Sequence, residues 1–296
     1  MKNSEEKNLD SQIERFHQPV DPIAIDRVPV HCTPYLGDRT LEEARAVILS
    51  GGNLLLIGEK STGKNILAEY LAGLFCRPLY TVSFHVATDA ESLIGTDTLK
   101  GGEVTYRPGP ITQAATYGGF CVLDEINMAK NEAVSVLHAT LDHRRLIDIP
   151  GYKPVRLHPF TRFIATMNQG YAGTRAVNRA LLSRFNVIRM PLISEEGLAQ
   201  LLKMHFPKLR EEYVHQFTLF FFEIVLKHEA GEISDRPVDL RGLIDAISLV
   251  HWGLPLGRAI DLGITNKSDD EFERTLVRDL VDERFLAEDG KDQLFQ

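Results

Sequence analysis

Gly58-Glu59-Lys60-Ser61-Thr62-Gly63-Lys64 stands between an apolar run at 54–57 and a helical pattern that opens at Asn65. Residue types in that order suit one kind of chemistry. Glycines let successive backbone N–H groups turn toward a common centre, the helix start adds positive potential, and a lysine supplies a full charge. Such a strand, loop and helix can cradle a chain of phosphates, with Gly58, Glu59, Lys60, Ser61, Thr62, Gly63, Lys64, Asn65 and Ile66 as candidate contacts. Lys64 would reach the terminal phosphates. A ligand-free glycine turn is the plainer alternative, and the apolar strand placed before the loop weighs against it. Asn65 occupies the position where Ser or Thr ordinarily offers a hydroxyl to Mg²⁺. Its amide oxygen can ligate a hard cation, but the side chain is longer and planar, which strains octahedral geometry. Binding of a nucleotide is therefore expected to tolerate Asn65 better than turnover does.

Phe120-Cys121-Val122-Leu123-Asp124-Glu125 reads as a buried strand that ends in two carboxylates. Adjacent side chains on a strand diverge, so the pair can divide its work. Asp124 is the candidate metal group, with Asn65, while Glu125 is the candidate that orients and polarises an attacking water. An Asp-Glu at a strand end is common on surfaces; an upstream phosphate loop makes that the lesser reading. A third apolar strand, 163–166, runs on to Asn168. Beside the phosphate loop its amide could bond both a γ-phosphate and the water, whereas alone it would be a turn residue.

The elements that must position these groups alternate. Short apolar runs at 54–57, 79–84, 120–123, 163–166 and 187–190 suit buried parallel strands, and helical patterns at 65–75 and 129–141 lie between them. That order predicts an α/β domain with helices on both faces of a parallel sheet. Thr40 and Glu43 have capping-box spacing ahead of an apolar helix at 41–49. Beyond Pro191 the strand signals fade and helices are predicted at 195–205, 211–228, 240–252 and 271–288. The expected organisation is an irregular, loosely packed leader over 1–33, a nucleotide-binding domain over 34–192 and a smaller helical lid with an acidic tail over 193–296.

With 296 residues, 44% hydrophobic and 25% charged, the chain has an ordinary globular composition. No apolar run reaches the roughly 20 residues of a membrane span, and the opening residues lack a signal-peptide core, so a cytoplasmic protein is expected. Cys32, Cys76 and Cys121 form no CxxC pair, which points to neither disulfide nor zinc. The net charge of −8 and the lack of a basic stripe argue against nucleic acid as a partner. From Lys267 onward ten Asp or Glu face five Lys or Arg, a difference of −5 that reads as a solvated helix face. Asn266-Lys267-Ser268-Asp269 matches a guanine-reading pattern, but it lies about 200 residues past the phosphate loop and is read as chance.

Taken together these motifs resemble the AAA+ superfamily over roughly residues 34–252. The string Asp124-Glu125-Ile126-Asn127-Met128-Ala129 is similar to the MoxR and dynein-related branch. Further matching pieces are Gly109-Pro110-Ile111, Leu141-Asp142-His143-Arg144-Arg145, Tyr171-Ala172-Gly173 and Asn178-Arg179-Ala180-Leu181-Leu182-Ser183-Arg184-Phe185. The resemblance implies an ATP- and Mg²⁺-dependent ATPase, a self-assembled ring, by family habit a hexamer, and a chaperone-like role on a client complex. It implies a von Willebrand factor A domain protein as partner. Arg184 becomes the residue acting in trans on a neighbour's γ-phosphate, with Arg179 in reserve, and Arg241, preferred to Arg236, the lid residue that senses nucleotide in cis. Two hairpins, 96–107 turning at Gly101-Gly102 and 146–157 turning near Pro150-Gly151, become the inserts that engage substrate. The alternative function is a nucleotide-binding switch or scaffold with weak hydrolysis, motivated by Asn65.

Overall fold

The computed structural model describes residues 11–168 and 179–296. Two compact units meet in sequence between Pro191 and Leu192. The first contains α1 (Asp38–Leu49), β1 (Leu54–Gly58), α2 (Lys64–Leu74), β2 (Leu79–Ser83), α3 (Ala90–Ile94), β3 (Gly95–Lys100), β4 (Glu103–Pro108) and α4 (Pro110–Tyr117). It continues through β5 (Phe120–Asp124), α5 (Asn131–Ser135), α6 (Leu137–Leu141), β6 (Leu146–Ile147), β7 (Val155–Arg156), β8 (Arg162–Asn168), α7 (Arg179–Leu182) and β9 (Asn186–Arg189). The second is helical: α8 (Glu195–His205), α9 (Glu211–Glu229), α10 (Leu240–His251), α11 (Leu256–Gly263), α12 (Glu271–Arg284) and the short α13 (Lys291–Leu294). The α/β core followed by a helical lid, as the sequence predicts, is the fold.

Five strands form a parallel sheet in the order β2-β5-β8-β1-β9. β1 is buried along its whole length because both sheet faces are covered. Leu55 and Ile57 join one core with Phe163, Ala165 and helices α3, α4 and α6. Leu54 and Leu56 join the other, with Ile164, Leu67 and Leu71 of α2 and Ile48 of α1. Since β8 lies between β5 and β1, the chain leaves β1 for the far edge and returns, which opens a crevice beyond the strand ends.

Several local expectations change. Thr40 lies inside α1, whose N-cap is Gly37 without a side-chain cap, and Glu43 instead pairs with Arg39 at 3.0 Å. The helix predicted over 129–141 forms as two short helices, α5 and α6, preceded by a 3₁₀ turn at Ile126–Met128. In the lid, α12 ends at Arg284 and α11 is an added helix, locked to α10 by two glycines: a Cβ on Gly242 would sit 2.1 Å from Gly263 O. Both hairpins form, β3 with β4 in the register Lys100↔Glu103, and β6 with β7. Tyr171-Ala172-Gly173 and Asn178 lie outside the described residues.

The leader is not loose where it is described. Ile13 and Phe16 are buried in the α1/α2 core. Phe16 packs edge-on to Phe75 with ring centroids 4.9 Å apart, and the Arg162 guanidinium lies over its ring at 5.3 Å. Two buried arginines bind this layer through carbonyls: Arg77 donates to Gly118 O at 2.8 Å and to Phe16 O at 3.3 Å, and Arg162 donates to Ile48 O at 2.8 Å. Burial pushes the Arg162 guanidinium down to about 10, which still leaves it charged at neutral pH. Phe16→Ala should therefore destabilise the first unit by about 3–5 kcal/mol. Urea unfolding checks this, and an unchanged midpoint would mean that the segment adds nothing to the core.

Candidate functional site

The site is assembled where three neighbouring strands end. Parallel pairing places Gly58, the last residue of β1, beside Asn168, the last of β8, and Leu123 of β5 beside Ala165 of β8. Residues two apart on β8 share a face, so Thr166 and Asn168 point together toward the side carrying α2.

The phosphate loop spans the gap from β1 to α2. Ser61 has φ 66° and Gly63 has φ 78°, both in the left-handed region that turns backbone N–H groups inward. Thr62, itself buried, fastens the loop by donating its hydroxyl to Glu59 O at 2.9 Å. The Lys64 ammonium lies over the loop, bonded to Gly58 O at 3.0 Å and Glu59 O at 2.6 Å. Burial pulls its pKa below the ordinary lysine value, while Asp124, Glu125 and Glu59 pull it back upward. The ring of Tyr35 covers the loop's end, 3.3 Å from where a Cβ on Gly63 would stand.

Asp124 and Glu125 separate as two side chains at a strand end should. Asp124 Oδ1 accepts the Thr166 hydroxyl at 2.5 Å, and its Oδ2 lies 3.3 Å from the Asn65 amide nitrogen. Glu125 leaves the strand with φ 55° and ψ 45°, a left-handed conformation that costs a non-glycine residue about 1–3 kcal/mol. Its backbone N–H donates to Thr166 Oγ1 at 3.0 Å, and its carboxylate accepts from Asn168 Nδ2 at 2.9 Å. Asn65, Asp124, Glu125 and Asn168 are thus linked by hydrogen bonds through Thr166, and Lys64 is near enough for both carboxylates to act on its charge.

The other candidates have partners of their own within their units. Arg184 donates through Nε to His138 O at 3.2 Å, bonds Ala180 O, and lies 4.0 Å from Asp142. Asp142 is pushed down to about 2, chiefly by the hydrogen-bonded guanidinium of Arg144. Arg179 is exposed at the start of α7. Arg241 is exposed in the second unit at the first turn of α10, where Asp239 accepts its backbone N–H. Arg236 pairs with Asp269. Lys267, from the guanine-like string, is ion-paired to Asp239, so its charge serves the lid's own structure.

Two site residues escaped the sequence reading. Thr166 looked like one more β-branched residue of an apolar strand. Asn127, buried at 4% exposure, donates to Asn168 O at 3.1 Å, and its Oδ1 has no hydrogen-bond partner among the described residues. Only its place between Glu125 and the next helix could have signalled a role.

The donor set fits a magnesium nucleotide. Among the described residues no cluster of three or more His, Cys, Asp or Glu could enclose a metal ion. One aspartate with an amide beside it suits Mg²⁺, which keeps several waters and takes further oxygens from phosphate. Asp124 and Asn65 would hold such an ion, which would neutralise charge between the phosphates. No helix among the described residues is long and apolar enough to cross a membrane.

Comparison with known proteins agrees with this geometry. The family model for the AAA domain of the dynein-related subfamily matches residues 53–185, from the residue before β1 to the residue before β9. The uncharacterized protein YojN of Bacillus subtilis is 34% identical over 250 residues, covering 83% of this chain and 82% of that protein. An uncharacterized protein of Staphylococcus haemolyticus is 32% identical over 254 residues, covering 84% of this chain and 96% of that one. One from Staphylococcus aureus is 32% identical over 249 residues, covering 82% and 94%. A crystal structure from Cytophaga hutchinsonii aligns over 94% of this chain and 88% of that one with a TM-score of 0.49 at 16% identity, too slight a likeness to add to the assignment. The chain belongs to the dynein-related subfamily of AAA domain proteins, a family that binds and hydrolyses ATP.

Proposed function

We propose that the chain is a MoxR-like ring subunit that spends ATP to remodel or activate a partner protein complex in the cytoplasm. The observation that carries this reading is the grouping of Lys64, Asp124, Glu125 and Asn168 at the ends of β1, β5 and β8. Lys64 would leave the loop carbonyls for the β- and γ-phosphates, and Asp124 with Asn65 would hold Mg²⁺. Glu125, aimed by Asn168, would polarise the attacking water. Arg184 would act in trans, since a guanidinium stabilises phosphoryl charge in a planar fork and stays charged. Arg241 would sense nucleotide from the lid. Oligomerisation is the habit of AAA+ domains; the hexamer, the client complex and a von Willebrand factor A domain partner belong to this proposal. The β3/β4 hairpin supports a client-facing role, because its tip exposes the cross-strand pair Leu99 and Val104 at 76% and 65%.

One observation favours a second reading, a switch that binds ATP and turns it over weakly. The Asn65 amide nitrogen faces Asp124 Oδ2, which is the oxygen a cation would need.

Phosphate release from purified protein with Mg²⁺ separates the two. A motor gives steady turnover that Glu125→Gln abolishes while ATP stays bound, whereas tight binding without turnover in the unaltered protein selects the switch. The trans role of Arg184 is checked by mixing: Arg184→Ala and Glu125→Gln proteins, each inactive, should together regain part of the activity, and no recovery at any ratio removes Arg184 from that role.

ATP affinity should also report the state of Lys64. Burial lowers its pKa, so the protonated, phosphate-binding form is lost as pH rises through a value below that of an ordinary lysine. Affinity measured against pH should begin to fall before the ordinary lysine value of 10.5, and a flat profile up to that pH would contradict it.

A further inference from the structure

We infer that Thr166 is a positioning residue that couples the metal-binding carboxylate to the catalytic glutamate through one hydroxyl. This rests on the ATPase reading of the same site.

A hydroxyl has one proton to give and lone pairs to receive. Asp124 Oδ1, 2.5 Å away, has no proton of its own as a carboxylate, so the Thr166 proton points there. The lone pairs then accept the backbone N–H of Glu125 at 3.0 Å. Both assignments are forced, because an amide nitrogen can only donate and a carboxylate oxygen can only accept. The rotor is also held from outside: Thr166 is 1% exposed, and a β-branched residue in a strand has restricted χ1 freedom.

Two consequences follow for the reaction. With Oδ1 engaged, Asp124 presents Oδ2 toward Asn65 and the phosphate loop, so the hydroxyl decides which oxygen meets the cation. The same oxygen anchors the peptide on which Glu125 turns left-handed at φ 55°. That turn aims the Glu125 carboxylate at Asn168, 2.9 Å away. A shift of Asp124 toward a cation would move the Thr166 hydroxyl, and with it the glutamate's backbone. Asn168 is two residues further along the same strand and contacts the glutamate's other end. Thr166 and Asn168 therefore hold Glu125 at its amide and at its carboxylate from one rigid element.

The test compares full-length unaltered protein with Thr166→Val, which keeps shape and removes the hydroxyl, and Thr166→Ser, which restores it. Two quantities are read: the Mg²⁺ concentration that half-saturates tightening of a fluorescent ATP analogue, and kcat with KM for ATP. In a Thr166→Val protein that melts cooperatively, the Mg²⁺ midpoint should rise at least about threefold and kcat should fall about tenfold or more, with KM within about twofold. Thr166→Ser should return most of both. If Thr166→Val does not fold, Thr166→Cys takes its place, a thiol being a weak hydrogen-bonding group of similar size. Either quantity unchanged in the folded variant overturns the coupling. Absence of turnover in the unaltered protein defeats the hydrolysis reading alone, since the Mg²⁺ midpoint still decides the role of Thr166. Absence of Mg²⁺-dependent binding there defeats both.

Discussion

The parallel register of β5, β8 and β1 is the constraint on which the site depends. Gly58 pairs with Asn168, so β1 and β8 end at one level, while Leu123 pairs with Ala165 and β5 stops two residues short of them, which places its acidic pair beside Thr166. Within the sheet, Leu54, Leu56, Phe163 and Leu123 are almost completely removed from water and bind the strands to helices on both faces. Slipping β8 by a residue would invert its faces, turning Thr166 and Asn168 away from the side carrying α2 and pointing Ala165 at the loop. The hydrophobic core thus sets the alignment of the chemistry.

Around that frame the charges balance locally. Asp124 and Glu125 lie close enough to Lys64 to resist the loss of its proton, and burial of the lysine opposes them. The carboxylates are aimed by neutral donors: the Thr166 hydroxyl, the Asn168 amide and the Asn65 amide. Neutral donors orient a carboxylate without adding a charge of their own. The left-handed turn at Glu125, like that at Ser61, is a strained point, and its N–H bond to Thr166 offsets part of that strain.

Much of this was legible in the residues. Five apolar runs, three of which lead into a loop, an acidic pair and an asparagine, signal the sheet and the central group, because burial on both faces writes itself as short apolar strings. Helix details were less legible. The 129–141 pattern has helical spacing throughout, yet the chain needs a 3₁₀ turn at Ile126–Met128 and a break between α5 and α6 to leave the site. Thr40 and Glu43 had capping spacing, but the helix starts earlier, at Asp38. Arg77 and Arg162 are buried because carbonyls at turns and helix ends far along the chain receive their N–H groups, partners that no local pattern signals. Thr166 was hidden for the same reason: its two partners lie on β5 and at the residue after it, 42 and 41 positions away.

The substitution at Asn65 becomes intelligible once Thr166 is in view. Asp124 already receives a hydroxyl on Oδ1, from β8, so a second hydroxyl at position 65 is not needed to orient it. Asn65 offers its amide nitrogen to the other oxygen, Oδ2, at 3.3 Å, which is a long bond and a weak one. A cation approaching Oδ2 would repel that N–H group, and rotating the amide by half a turn presents its oxygen instead. Under the proposed metal role, the same side chain would satisfy the carboxylate in the absence of Mg²⁺ and would turn its oxygen to an ion held by Asp124, a rearrangement that a serine would not need. Any such rotation would leave the glutamate in place, since its backbone N–H is held by Thr166 and its carboxylate by Asn168.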